Sequence, residues 1–221
     1  AGEGSRMKPL TDSVPKGLVN INGKPILEHL LDNLEGISKD VTFVIGYKGD
    51  MIREYFGDNY KGINLKYSVQ KKQIGTANAL YSAYENLKED SFLFLMGDNY
   101  YSNKDLKNVT KFKYACLGKS ISKEEFKPGR FGHCIVKNNY LKDLIEKPET
   151  FVSSEVGIGA YVIHKSDLVE YGKIKKSKRG EYEFIDIINR LIKKENINYV
   201  SIKKDWLAID SFDDIKIAED I

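Results

Sequence analysis

The sequence predicts an α/β fold whose first half alternates strands with helices and whose second half is more antiparallel. Three observations predict it. Short apolar runs alternate with segments of helical period as far as about Asp105, strands dominate beyond it, and no stretch of the 221 residues is repeated or low in complexity. Hydrophobic residues make up 41% of the chain, which is enough for a substantial core, and no linker divides it. One domain over residues 1–221 is the economical reading.

Taken in order, "PILEHLLDNL" (Pro25 to Leu34) sets Ile26, Leu27, Leu30, Leu31 and Leu34 on one helical face. Pro25 suits its first turn and Gly36 its end. The apolar run "VTFVIG" then reads as a buried strand. A helix from Asp50 to Phe56, a strand "LKYSV", a helix "TANALYSAYENL" and a strand "SFLFLMGD" follow. Strands separated by helices and short turns call for a mostly parallel sheet with right-handed crossovers. Past Asp105, "YACLGKSI", "GHCIV", "YLKDLIEK" and "VGIGAYVIH" read as strands, with Asn138-Asn139 as a tight turn between two of them. A helix from Glu181 to Lys194, a strand "INYVSI" and a last helix from Ser211 complete the chain.

Charge excludes some functions. Lysine dominates the 35 basic residues, but they are interleaved with 32 acidic ones and leave a net charge of only +3. Neither nucleic acid nor a membrane surface is indicated as a partner. No apolar run approaches the roughly 18 residues that span a bilayer, and no signal peptide is visible. Cys116 and Cys134 lie far apart without metal-ligand spacing, so a reducing cytoplasm is the expected location.

In open α/β sheets ligands bind beyond the carboxyl ends of the strands. Three groups fall there: the glycine-rich turn of Gly2, Gly4 and Arg6, the segment Gln70 to Thr76, and Asp98 in "MGDN". Glycines let backbone amides approach a phosphate closely. The opening turn is not a Walker A loop, since no Gly-Lys-[Ser/Thr] closes it, and it lacks the third glycine of a dinucleotide fingerprint. Alone, each feature is compatible with an ordinary turn, a helix cap or, for Lys16, a solvated surface lysine.

Their order is more specific. "AGEGSRMKPLT…PKGLVNINGKPILEH", then Gln70-x-x-x-x-Gly75-Thr76-Ala77, "GDN" at Gly97 to Asn99 and "RFG" at Arg130 to Gly132 form one series. "IEKPE" from Ile145, "GIGAYVI" from Gly157, "GEYEFID" from Gly180 and "WLAID" from Trp206 continue it. The series resembles the sugar-1-phosphate nucleotidyltransferases along the whole chain. The resemblance implies a nucleotide-diphospho-sugar transferase fold, a Rossmann-like α/β/α sandwich with a mixed, mostly parallel sheet. It also implies a first, central strand ahead of the glycine turn, and so a segment missing upstream of Ala1.

The implied activity is Mg²⁺-dependent transfer of a nucleotidyl group from a nucleoside triphosphate to a sugar-1-phosphate, with release of pyrophosphate. The resemblance assigns the triphosphate to the backbone of Gly2, Glu3 and Gly4 with Arg6 and Lys16 as cations, and the nucleobase to Gln70, with Gly75 and Thr76 beside it. Asp98 and Asp210 are its Mg²⁺ ligands, although "WLAID" departs from the commoner Trp-x-Asp-x-Gly. On the acceptor side, Gly132 and Gly159 approach the sugar, Glu146 takes its hydroxyls and Lys147 holds its phosphate. A phosphate monoester is largely dianionic at neutral pH, so no general base is required, and His29, His133 and His164 occupy none of these positions. Two alternatives stay open: a cytidylyltransferase acting on an inositol or alcohol phosphate, and a silent nucleotide- or sugar-sensing subunit. Members of the family are often homo-oligomers, but one sequence locates no interface.

Overall fold

The computed structural model describes residues 2–203 and 206–219. Its first half alternates as expected: α1 (Ile26–Asp32), β1 (Asp40–Ile45), α2 (Gly49–Phe56), β2 (Ile63–Val69), α3 (Thr76–Ser82) and β3 (Ser91–Leu95). The second half contains α4 (Asn103–Val109), β4 (Ala115–Ser120), β5 (Gly132–Lys137), β6 (Tyr140–Ile145) and β7 (Glu155–His164). It closes with α5 (Phe184–Leu191), β8 (Asn198–Ser201) and α6 (Phe212–Glu219).

The larger sheet has the order β3-β7-β4-β8-β6-β5, and β5 also meets β7. β7 runs antiparallel to β3, β4 and β5, whereas β8 is parallel to β4. In the smaller sheet β1 and β2 are parallel, and the short strand Asn59–Tyr60 adds antiparallel to β2. The sheets are therefore mixed, with less parallel pairing than the alternating first half suggests. The reason is β7, ten residues long and antiparallel to every neighbour.

Three local expectations change. The helix from Thr76 stops at Ser82 and gives way to a 3₁₀ turn over Tyr84–Asn86. The helix expected from Glu181 starts at Phe184, because Tyr182 is held extended: its N–H donates to Ile74 O at 2.7 Å and its carbonyl accepts from Ala77 N at 2.9 Å. α4 was not expected, being short and polar, yet Leu106 and Val109 are fully buried and Ser102 Oγ caps it by accepting from Asp105 N at 3.1 Å. The Asn138-Asn139 turn is as expected, with both residues left-handed at φ 52° and 63°.

The apolar faces of α1, β1 and β2 share one buried cluster with β4 and β7, while α5, β5 and β6 build a second around Cys116 and Cys134. Between the two sheets lies a slot. Among the described residues β1 pairs only with β2 and β3 only with β7, and residues 40–47 and 91–98 line one cavity of about 920 Å³. Leu27, Leu30 and Leu31 of α1, Leu80 of α3, and Phe43 and Leu93 of the two strands make its walls. Gly2 and Gly4 stand among the same lining residues as Gly97 and Asp98.

The second half is also tied by charge. Glu170, nearly fully enclosed, accepts from Lys194 at 2.6 Å, from Arg190 and from Lys173 at 3.0 Å. These bonds, that from Lys194 foremost, hold its carboxyl at about 2, below the usual 4.5. A carboxylate depressed by folding adds stability that is complete above its unfolded value and is lost as pH falls toward the folded one. Urea unfolding between pH 5 and about 2 is expected to show a steeper loss of stability in the native protein than in Glu170→Gln. Parallel slopes would mean that the three cations contribute nothing to acid stability.

Candidate functional site

The glycine turn is stiff where it matters. Gly4 has φ +66° and leads into a 3₁₀ turn over Ser5–Met7, and a Cβ placed on it would stand 2.9 Å from Thr11 Cγ2. Thr11 Oγ1 donates to Gly4 O at 2.9 Å, and Met7 is fully buried beneath the turn. Gly2 and Glu3 are exposed, and the Arg6 side chain is 69% exposed. Backbone and guanidinium are thus offered to solvent from an anchored base.

Asp98 and Asp210 are 112 positions apart in sequence and are joined by a short antiparallel ladder. Leu207 pairs with Tyr100 and Ala208 with Asn99, and Ile209 N donates to Asp98 O at 2.9 Å. The "WLAID" segment therefore delivers Asp210 beside Asp98. Lys16, from the 3₁₀ turn Lys16–Leu18, lies between them with Nζ 2.8 Å from Asp98 Oδ2 and 2.7 Å from Asp210 Oδ1. Burial opposes charging of Lys16, but the two carboxylates outweigh it and its pKa stands above the ordinary value. Burial likewise pushes Asp210 up, yet Lys16, with Arg6 at 3.9 Å, brings its pKa below the usual range. The ammonium occupies the position of a cation between two carboxylates, and in this respect the pair fits a divalent ion. Among the described residues no three His, Cys, Asp or Glu side chains form a metal cluster. Two carboxylates completed by phosphate oxygens and water suit Mg²⁺, which rarely takes an all-protein cage.

A pair that the sequence reading missed holds Asp210 in place. Asp214, on α6 and buried, accepts from Asp210 N at 2.9 Å through Oδ2 and from Arg130 Nη2 at 2.8 Å through Oδ1. Arg130 had been noted only as part of "RFG". Its partner lies 84 residues away in a helix whose spacing carries no signal.

Gln70 is buried, and its amide N–H groups donate to Gly75 O at 3.0 Å and Asn78 Oδ1 at 3.1 Å. Its Oε1 accepts no hydrogen bond among the described residues. Gly75 has φ +112°, and a Cβ there would stand 2.3 Å from Tyr182 O. Thr76 Oγ1 accepts from Phe184 N at 2.9 Å, capping α5. Gly75 and Thr76 therefore join the Gln70 loop to the segment before α5.

Glu146 and Lys147 follow β6 directly, with Lys147 left-handed at φ 40°. Arg179 Nη2 lies 3.0 Å from Glu146 Oε1 and 2.9 Å from Glu183 Oε1, and Lys147 Nζ lies 3.9 Å from Glu146. Burial raises the Glu146 carboxyl above the usual range despite Lys147 and Arg179. Arg179 is a second residue that the sequence reading left out, although it stands immediately before "GEYEFID". Gly132 pairs with Gly157 and would clash with Ile185 if it carried a Cβ. Gly159, φ +76°, lies where the β7–β4 register breaks, and Tyr101 Oη donates to both its carbonyl and that of Ile158 at 2.9 Å. The histidines have structural partners: Nε2 of His29 with Ile21 O, and Nδ1 of His133 with Ser153 O and of His164 with Asp90.

Comparison with known proteins places the chain in a family. Residues 1–219 match the nucleotidyl transferase family model. The chain is 35% identical over 202 residues to UTP–glucose-1-phosphate uridylyltransferase AglF of Haloferax volcanii, covering 87% of this chain and 81% of that protein. It is 33% identical to bifunctional protein GlmU of Methanocaldococcus jannaschii, with 93% of this chain and 48% of that one aligned, so it spans about half the length of this relative. A structure from Bacillus anthracis assigned as a glucose-1-phosphate thymidylyltransferase, in complex with sucrose, superposes with a TM-score of 0.88 at 25% identity, over 99% of this chain and 91% of that one.

The charge balance at Lys16 can be tested directly. In Lys16→Met, Asp98 and Asp210 lose the cation between them, and the Asp210 carboxyl is expected to titrate at higher pH than in the native protein, measured by carboxyl NMR. An unmoved titration would mean that Lys16 does not set the charge of this pair.

Proposed function

Because the chain belongs to the nucleotidyl transferase family, we propose that it transfers a nucleotidyl group from a nucleoside triphosphate to a sugar-1-phosphate, giving a nucleoside-diphosphate sugar and pyrophosphate. The observation that carries this reading is the Lys16 ammonium gripped by Asp98 and Asp210 beside the glycine turn. An oxygen of the sugar phosphate attacks the α-phosphorus in line as the bond to the leaving pyrophosphate breaks. The nucleophile is largely dianionic near pH 7, since its second pKa is about 6. No side chain has to remove a proton, in keeping with three histidines engaged in structural hydrogen bonds.

Bringing two polyanions together is then the main barrier, and positioned positive charge lowers it. Amides of the Gly2–Gly4 turn, Arg6 and Lys16 receive the triphosphate, while Lys147 and Glu146 orient the sugar phosphate. Asp98 and Asp210 would hold Mg²⁺, which when bound would supply charge neutralisation on the triphosphate. Gln70 offers Oε1 to the N3–H of uracil or thymine because its N–H groups are already engaged, which favours UTP or dTTP. A hexose-1-phosphate is the acceptor class, in keeping with AglF. Lys16→Ala and Asp98→Ala are expected to lower turnover by about 10²-fold or more with unchanged circular dichroism. Chelation is expected to abolish pyrophosphate release and added Mg²⁺ to restore it. Near-native turnover in either variant removes that residue from its role.

We also infer that the slot between β1 and β3 seats one further extended apolar strand, the element that the family resemblance implies ahead of the glycine turn. Its support is the pair of strand edges without ladder partners and the leucine walls around them. Six apolar residues appended ahead of Ala1 are expected to raise Tm by several degrees relative to six Gly/Ser residues. Equal melting would reject that filling.

A further inference from the structure

A second cavity, of about 900 Å³, adjoins Glu146 and Lys147. Four carboxylates line it, Glu146, Glu149, Glu183 and Asp186, together with a larger number of cations. The carboxylates are largely answered: Glu146 and Glu183 are both bridged by Arg179, and burial together with Glu183 raises the Asp186 carboxyl above its usual range. Two of the cations, Lys173 and Arg190, are engaged by Glu170 outside the cavity. Lys175, Lys176, Lys178 and Lys193 also line it, and among the described residues none of them has a carboxylate within 4.0 Å. Lys176 is over the ring of Tyr182, 5.6 Å from its centre.

The segment bearing three of these lysines is held in place. Ser177 N donates to Glu181 O at 2.8 Å, Gly180 N to Ser177 O at 2.9 Å, and Ser177 Oγ to Glu183 Oε1 at 2.9 Å. A single sugar phosphate accounts for Lys147. It leaves a concave space with surplus positive charge around it.

The geometry points to an acceptor that carries a second anionic group besides its 1-phosphate, received by Lys175, Lys176 and Lys178. This inference rests on the acceptor site proposed above, and it names the substrate class of that site: a sugar-1-phosphate bearing a carboxylate or a further phosphate. Each exposed charge pair contributes a few tenths to about 1 kcal/mol, so three lysines together amount to roughly a tenfold preference.

The test is equilibrium binding by calorimetry, with UTP and Mg²⁺ absent so that no turnover is needed. The native protein would be titrated with glucose-1-phosphate, glucuronic acid-1-phosphate and glucose-1,6-bisphosphate. At least one dianionic-plus acceptor is expected to bind about tenfold more tightly than glucose-1-phosphate. The carboxylate and bisphosphate arms show which anion the lysines take. In the folded triple variant Lys175→Ala, Lys176→Ala, Lys178→Ala the ratio of affinities is expected to fall to near one. Equal binding of all three acceptors by the native protein overturns the inference, and so does a ratio unchanged by the triple variant. An equal weakening toward every acceptor overturns it too, since the lysines would then act on the shared 1-phosphate. Pyrophosphate release, measured separately with UTP and Mg²⁺, distinguishes this failure from that of the reaction itself: an anion preference without release rejects the transferase reading and leaves the binding inference standing.

Discussion

The site depends on one strand. β7 is hydrogen-bonded along its length to β3, β4 and β5, and its register with β4 breaks between Gly157 and Ala160. That break does two things. It turns the Ile158 and Gly159 carbonyls to the hydroxyl of Tyr101, and it lets Met96 N, at the end of β3, donate to Gly159 O at 2.9 Å. The residues that follow, Gly97 and Asp98, leave the sheet from a fixed point. A side chain at Gly159 would stand 2.6 Å from Met96 Cγ, so the bulge, the strand end and the carboxylate share one geometric solution.

The Gln70 loop and the segment before α5 are joined by two backbone hydrogen bonds and one side-chain cap. Tyr182 donates to Ile74 and accepts from Ala77, and Thr76 caps the helix that follows. This short contact ties the Gln70 loop to the segment that carries Arg179, Glu181 and Glu183. A shift on either side is therefore transmitted through two hydrogen bonds and a close glycine contact that leaves no room for a side chain at Gly75. The proposed transfer between two anionic ligands would need such rigidity, since small misplacements of reacting groups are costly.

Much of this was legible from the residues. The alternation of apolar runs with helical period located α1 to β3, and Asn138-Asn139 carried its own turn chemistry. The glycine turn, Lys16, Asp98 and Asp210 were marked by order along the chain, and the ladder at Leu207–Ala208 brings the last two together. What was hidden depends on distant partners. Arg130 and Asp214 meet only in the folded chain, and Arg179 meets Glu146 across 33 residues. The helix expected at Glu181 starts late because Tyr182 has a tertiary hydrogen-bond partner stronger than its local propensity. α4 escaped notice since it has only two apolar residues, Leu106 and Val109, although Ser102 and Asp105 spelled its cap.

The slot has a consequence for how these molecules meet one another. Strand edges without ladder partners normally invite edge-to-edge association, and proteins deter it with lysines, prolines or short strands. Among the described residues, β1 and β3 each have one edge without a ladder partner, and both line one cavity with residues of α1 and α3. The further strand inferred above would pair with both edges at once, so the same filling that completes the ladder would also leave neither edge to recruit a neighbouring molecule.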